Sequence, residues 1–324
     1  MTVAMGEIQG GSAPKDSFRR RRNLSNSSAW AANFLAKGFC YGAALVTITA
    51  LFLIFGYILY RGFDCFVQMH PLHINWGFFT QSTGYPDPEK PFGGIGLRNC
   101  IAGSLTLILM ASVLGVPVGM LCGIYLAEYA RENWFNHAIR LMVDVLAGVP
   151  SIIVGVLGYQ LVVVPMRTSS AWAGAVALGF IMCPIVARTT EEMLKLVPKA
   201  LREASIGLGG SKAQTLVRIV LPAASSGIIT GVMLGVARVA GETAPLLFTA
   251  GMSDQPVYSF DWRFPFMHAD LNHSFPSLTV IVFQYATSPV KEWMQLAWGG
   301  MLVLVTIVLV LNIMVRVASS RKRM

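Results

Sequence analysis

The chain has 324 residues, of which 54% are hydrophobic and only 13% charged, against roughly 25% charged in a typical soluble domain. Its charges cluster between long apolar stretches, which excludes a soluble globular domain, since one core would have to hide several uncharged runs of about 20 residues. The net charge of +9 does not mark a nucleic-acid binder, because the basic residues flank apolar spans instead of lining one face among aromatic side chains.

Residues 1–36 read as a basic cytoplasmic tail, expected to be mobile, and residues 37–324 as a transmembrane domain. Arg19, Arg20, Arg21 and Arg22 precede the first apolar run, 38–60. That run is too long for a secretory leader and no small-residue cleavage site follows it, so it is expected to remain as the first helix. Further spans are expected at 99–127, 139–164, 171–187, 219–250 and 294–315, each near or above the roughly 20 residues that cross the hydrocarbon. The expected fold class is an all-α membrane protein with about six transmembrane helices. Six spans put both termini on one side. The segments on that side carry 18 of the 25 Lys and Arg residues and those on the other carry six, so the termini are expected to be cytoplasmic.

Two spans carry glycines at helical spacing: Gly115, Gly119 and Gly123, then Gly227, Gly231 and Gly235. Glycines four apart share a helix face and let another backbone approach closely, within the chain or from a partner subunit. The five cysteines (Cys40, Cys65, Cys100, Cys122, Cys183) form no CxxC pair and read as small apolar residues, although a disulfide is open to Cys65 and Cys100 near the outer face. His70 with His73, and His268 with His273, lack a third ligand at convincing spacing, so no metal is expected. The stretch 251–273, which holds Asp254, Asp261, Trp262, Arg263, His268, Asp270 and His273, reads equally as a docking surface or an ordinary exposed loop.

The loop at 188–218 alternates charged and apolar residues like a short amphipathic helix pair. Within and just after it stand Glu203, Ala204, Ser205, Gly209, Ile219, Leu221 and Pro222, in a register that resembles the "EAA" signature of ABC importer permeases. In that family the loop forms a coupling helix that docks into a cleft of the ATPase subunit. The chemistry agrees: Glu203 can pair at a helix surface, Gly209 permits a sharp turn after it, and Pro222, placed where the next span begins, loses little by its missing N–H. Ser205 departs from the usual second alanine but is still small. No G-x-x-x-x-G-K-[ST] phosphate loop occurs in the chain, so a separate polypeptide is expected to hydrolyse ATP, and no cofactor is expected here.

In the fifth span, Arg238 and Glu242 lie within GVARVAGETAPLLFTA, four residues apart on one helix face. Charges at membrane depth cost at least about 2.5–3.5 kcal/mol each on insertion scales. Two readings stand: a guanidinium fork for a tetrahedral oxyanion, held by Glu242, or an internal ion pair that only stabilises the bundle. Gly241 and Pro245 suggest a loosened helix beside the pair.

ARVAGETAPLLFTA, GGIGLRNCIAGS, VPSIIVGVLGY and the C-terminal SPVKEWMQLAWGGMLVLVTIVLVLNIMVRV resemble the PstA-type permease subunit of phosphate-specific ABC importers, over about 93–317. The resemblance implies a type I ABC importer permease fold in a bacterial inner membrane. It also implies a PstC-type partner permease, a PstB-type ATPase homodimer that binds ATP and Mg, and an external PstS-type phosphate-binding protein. The family's intramembrane Arg and Glu would map onto Arg238 and Glu242. Rival readings are a permease for another oxyanion (phosphonate, sulfate or molybdate) and a membrane scaffold that reports phosphate status. A channel or secondary carrier would have no use for the coupling loop.

Overall fold

Backbone amides in hydrocarbon have no water to bond, so apolar runs of this length close their hydrogen bonds internally as helices. The structure, a computed structural model, describes residues 26–67, 77–84, 95–131, 133–253, 258–260 and 267–321, and these are mostly helical. Arg19 to Arg22, His70, His73, Asp254, Asp261, Trp262 and Arg263 lie outside the described residues.

The chain divides into two units, 1–57 and 58–324. In the first, the described residues form the greater part of α1 (Asn26–Val67), with Trp30 stacked on Phe34 at 5.7 Å. Its apolar side chains, Phe39, Leu45 and Phe52 among them, are exposed. The second unit holds the end of α1, the one-turn α2 (Gly77–Thr80), α3 (Arg98–Tyr129), α4 (Trp134–Gly148), α5 (Ser151–Met166), α6 (Ala171–Lys195), α7 (Lys199–Gly207), α8 (Lys212–Ala240), α9 (Ala244–Thr249), a small hairpin, α10 (Leu278–Ala286) and α11 (Lys291–Arg321). The hairpin pairs β1 (Tyr258–Phe260) antiparallel with β2 (Met267–Ala269), Ser259 opposite His268.

Five of these helices are long and apolar enough to cross a membrane, and the bent pair α4–α5 makes six if it is one broken span. The expected third span at 139–164 is thus two helices meeting at 104°. Pro150 brings no N–H, and a residue before proline is driven out of the helical region; Val149 accordingly sits at ψ 133°. The expected fifth span at 219–250 also changes. It starts earlier, at Lys212, and breaks after Ala240, with α9 a separate helix. The nine-residue α10 was not anticipated, being too short to cross.

The centre of the second unit is α6, with 67% of its most apolar window buried, against 33% for α3 and 28% for α8. Both glycine ladders face it. On α3, a methyl at Gly115, Gly119 or Gly123 would fall 3.0, 2.7 or 2.5 Å from the carbonyl oxygens of Gly179, Cys183 or Ala187 in turn, three positions spaced one turn apart on α6. On α8, Gly227 meets Met193, Gly231 meets Thr189, and Gly235 meets Met182 and Val186. The ladders therefore pack within the chain. A second core, away from the 188–218 loop, joins Cys65, Phe78, Leu97, Cys100, Leu278 and Leu296. Cys65 and Cys100 are both buried in it as thiols, so the disulfide open to them is not formed.

Candidate functional site

The loop follows directly from α6. Pro198 starts α7, and Gly209, at φ +88°, ends it. The Gly209 N–H donates to the Ile206 carbonyl at 2.9 Å and the Gly210 N–H to the Ser205 carbonyl at 3.0 Å, the closing bonds that a left-handed residue after a helix permits. Ser211 then caps α8 in a reciprocal box: its hydroxyl accepts from the Gln214 N–H, and its own N–H donates to Gln214 Oε1.

The signature residues divide by face. Glu203 and Ala204 are exposed, whereas Ser205 is half-buried with its hydroxyl 2.8 Å from that of the buried Thr215. The departure from alanine therefore supplies a hydrogen bond inward and adds nothing to the outer surface. Ile219 and Leu221 are half-buried and Pro222 is exposed. Pro222 does not begin the span, which is already ten residues old. A π turn over Leu216–Val220 precedes it, and the Leu221 N–H bonds the Leu216 carbonyl. The wider turn fits a proline that has no N–H for the carbonyl four residues back.

No residue of α7 is buried. Leu208 just after it is 91% exposed, and Leu196, Leu201 and Ile206 are exposed around it. This is an apolar patch on an otherwise polar loop, the mark of a surface that another protein covers.

Behind the patch lie charged contacts that sequence reasoning missed. Glu128, in the π turn Tyr125–Tyr129 that ends α3, has a side chain only 9% exposed and is ion-paired with Arg202 of α7. The other arm of the Arg202 fork donates to the Leu194 carbonyl at 2.7 Å. Lys212, first in α8, donates to the Glu128 carbonyl at 2.6 Å and lies 4.7 Å over the Tyr129 ring. Nearby, the buried Glu191 accepts from Arg140 at 2.9 Å and Lys195 at 2.5 Å, while Arg140 also donates to the Leu126 carbonyl. The available signal was an acid, Glu128, closing the glycine-ladder helix in a region dominated by basic residues.

Arg238 lies in the last turn of α8, and Glu242 in the break between α8 and α9. Arg238 Nε is 3.5 Å from Glu242 Oε1, with the side chains 47% and 14% exposed. The predicted pair thus forms, at the long end of contact. Glu242 is also anchored by its carbonyl, which accepts from the Thr279 hydroxyl of α10 at 3.0 Å. The Arg238 guanidinium is the more open partner. The break is held against α5: a methyl at Gly155 would come within 2.7 Å of the Pro245 Cα. A groove of about 1120 Å³ runs along α8 from Ala223 past Thr230 to Ala237, the neighbour of Arg238, and is bounded towards the loop by Met193 and Pro198.

On the hairpin side, the Asp270 carboxylate is 2.8 Å from His273 Nδ1 and accepts from the Asn272 N–H at 3.1 Å. The His273 hydrogen bond, with the Asn272 N–H, holds the Asp270 carboxyl below its ordinary range. Among the described residues no group of three His, Cys, Asp or Glu is placed to hold a metal ion.

Residues 96–324 match the family described as binding-protein-dependent transport system inner membrane component. A protein of Yersinia pestis named phosphate transport system permease protein PstA is 46% identical over 77% of this chain and 80% of its own length. Its namesake in Xylella fastidiosa is 37% identical over 87% of this chain and 93% of its own, and PstA 1 of Mycobacterium tuberculosis 34% identical over 94% and 92%. Among solved structures, the bacterial alginate ABC transporter in complex with a pentasaccharide-bound periplasmic protein aligns with TM-score 0.61 at 13% identity, covering 89% of this chain and 96% of that one. The inward-facing MetNI methionine ABC transporter aligns with TM-score 0.55 at 18% identity, covering 69% and 96%. These two likenesses concern the fold, that of ABC importer permeases.

Proposed function

Because the chain belongs to the binding-protein-dependent transport system inner membrane components, and to the PstA group within them, we propose that it is the translocation subunit of an ATP-driven importer of inorganic phosphate. It is a multi-pass membrane protein and a transporter subunit, not an enzyme. A permease of this kind works with an ATPase and other subunits. Its partners here are a PstC-type permease, a PstB-type ATPase homodimer that binds ATP and Mg, and a PstS-type phosphate carrier. The membrane is the bacterial inner membrane, with both termini and the 188–218 loop in the cytoplasm, the side towards which the basic residues are biased.

Transport is by alternating access. ATP binding closes the ATPase dimer on α7, where the exposed Leu208 just after the helix and the flanking apolar residues supply the contact, and the spans reopen towards the carrier. Arg238 then offers phosphate a transient contact. A guanidinium fork matches the oxygens of a tetrahedral anion, and Glu242 at 3.5 Å keeps the site from holding the ion tightly. The observation that carries the substrate assignment is the identity with proteins named for phosphate transport, 46% over 77% of this chain in one of them.

The test is labelled-phosphate uptake in starved cells that lack the native subunit, complemented with this chain or Arg238→Gln at equal membrane abundance. A charge-assisted hydrogen bond is worth about 1.5–3 kcal/mol, so uptake by the variant should fall roughly tenfold or more. Equal uptake by both removes Arg238 from the pathway. Failure of the assembled wild type to move phosphate transfers the assignment to sulfate, molybdate or phosphonate, each tried as a labelled substrate.

A further inference from the structure

A helix that transmits force to its neighbours usually does so through interdigitated side chains, yet α7 has no buried residue. Its attachment to the spans is polar. Lys199 and Glu203 are exposed, so Arg202 is the charged residue of α7 turned inward, with its side chain 22% exposed. Its fork engages two spans at once, Glu128 at the end of α3 and the Leu194 carbonyl in the last turn of α6. Glu128 in turn holds the loop at two points, Arg202 of α7 through its carboxylate and Lys212 at the start of α8 through its carbonyl. An ion pair this sheltered from water is stronger and more rigid than one at a surface.

From Glu128 a continuous run of close contacts leads to the ion pair near the far end of α8. The glycine ladder of α3 lies against Gly179, Cys183 and Ala187 of α6, and the adjoining face of α6 receives Gly227, Gly231 and Gly235 of α8, with Met182 and Val186 touching both ladders and Arg238 standing in the last turn of α8. Close-packed backbones move as bodies and do not absorb a displacement by bending side chains.

We propose that Glu128 and Arg202 form the link through which displacement of α7 enters the spans, making them positioning residues for coupling and not for binding phosphate or the ATPase. This rests on the reading of the chain as an importer subunit, and it adds a route from the loop to Arg238. Breaking the link leaves ATP hydrolysis running while transport slips.

The experiment uses the complete complex in vesicles with its carrier, measuring ATP hydrolysis and labelled-phosphate uptake in the same sample. Glu128→Gln and Arg202→Gln are expected to assemble with the ATPase and to hydrolyse ATP without carrier within twofold of wild type. Phosphate moved per ATP should fall at least tenfold. Arg202→Lys, which keeps the charge but lacks the planar fork that divides between Glu128 and Leu194, should fall between. Arg188→Gln, which removes an exposed partner of Asp144 and Glu192 and joins neither α7 nor α3, should keep the wild-type ratio. An unchanged ratio in both Gln variants overturns the proposal. So does a proportional fall of hydrolysis and uptake, or failure of every Glu128 and Arg202 variant to assemble, since each assigns the pair to folding. A wild-type complex that assembles but moves no phosphate defeats the substrate assignment alone, and the ratio is then read with the oxyanion it does carry.

Discussion

Gly209 shows what one residue contributes to the 188–218 loop. At φ +88° an L side chain is strained whatever space surrounds it, and nothing lies within 4 Å of the position a methyl would take. Gly209→Ala should therefore cost about 1–2 kcal/mol of loop stability through backbone conformation alone. Amide hydrogen exchange in α7 and at the start of α8 would report this as faster opening, with the rest of the bundle unchanged. This glycine was legible beforehand because a left-handed turn after a helix has local chemistry. Arg238 and Glu242 were legible for a similar reason, standing four residues apart in an apolar run. Glu128 was not, because its partner Arg202 lies 74 residues away. Arg140 and Glu191, 51 residues apart, went unnoticed on the same ground.

At the scale of elements, the glycine ladders decide which helices touch. The hydrophobic effect gives no preference among helices already in lipid, so close approach of backbones selects partners. A methyl at Gly119 would lie 2.7 Å from the Cys183 carbonyl and 2.8 Å from the Val186 Cβ, neither a flexible end that can swing away. Gly119→Ala should cost about 1–3 kcal/mol as overpacking and lower the thermal midpoint of the purified protein. Gly148→Ala, with nothing within 4 Å of the added carbon, should leave that midpoint where it is. If the two substitutions shift it equally, the α3–α6 contact is looser than described. The breaks in helices have local causes read with varying success. Pro150 marks a bend of 104° that hydropathy passed over, because both halves are apolar. Pro222 suggested the start of a helix, but the chain keeps its helix by a π turn instead.

The whole molecule has surfaces that call for company. Apolar side chains of α1 from Phe34 to Tyr60 are exposed, as suits lipid or a second permease chain, and the patch around Leu208 is exposed too. Full burial of a leucine is worth about 1.5–3 kcal/mol, so Leu208→Glu should weaken ATPase association roughly tenfold or more in a pull-down from membranes. Membrane abundance of the chain should not change, because the side chain is 91% exposed here. Undiminished capture of the ATPase would move the docking surface elsewhere on the loop.

Lipid as solvent writes itself into composition, so the sequence alone determined that the chain crosses a membrane about six times, and it marked out the 188–218 loop through its alternation of charged and apolar residues and the spacing from Glu203 to Pro222. Both are properties of short windows. Tertiary structure decided which face of each helix met which neighbour. It put both ladders on α6, left Cys65 and Cys100 as thiols, and joined Arg202 to Glu128 and Leu194. Those pairings join residues far apart along the chain, and the physical reason they stay hidden is that a helix shows its neighbours only one face, chosen by how closely backbones can approach.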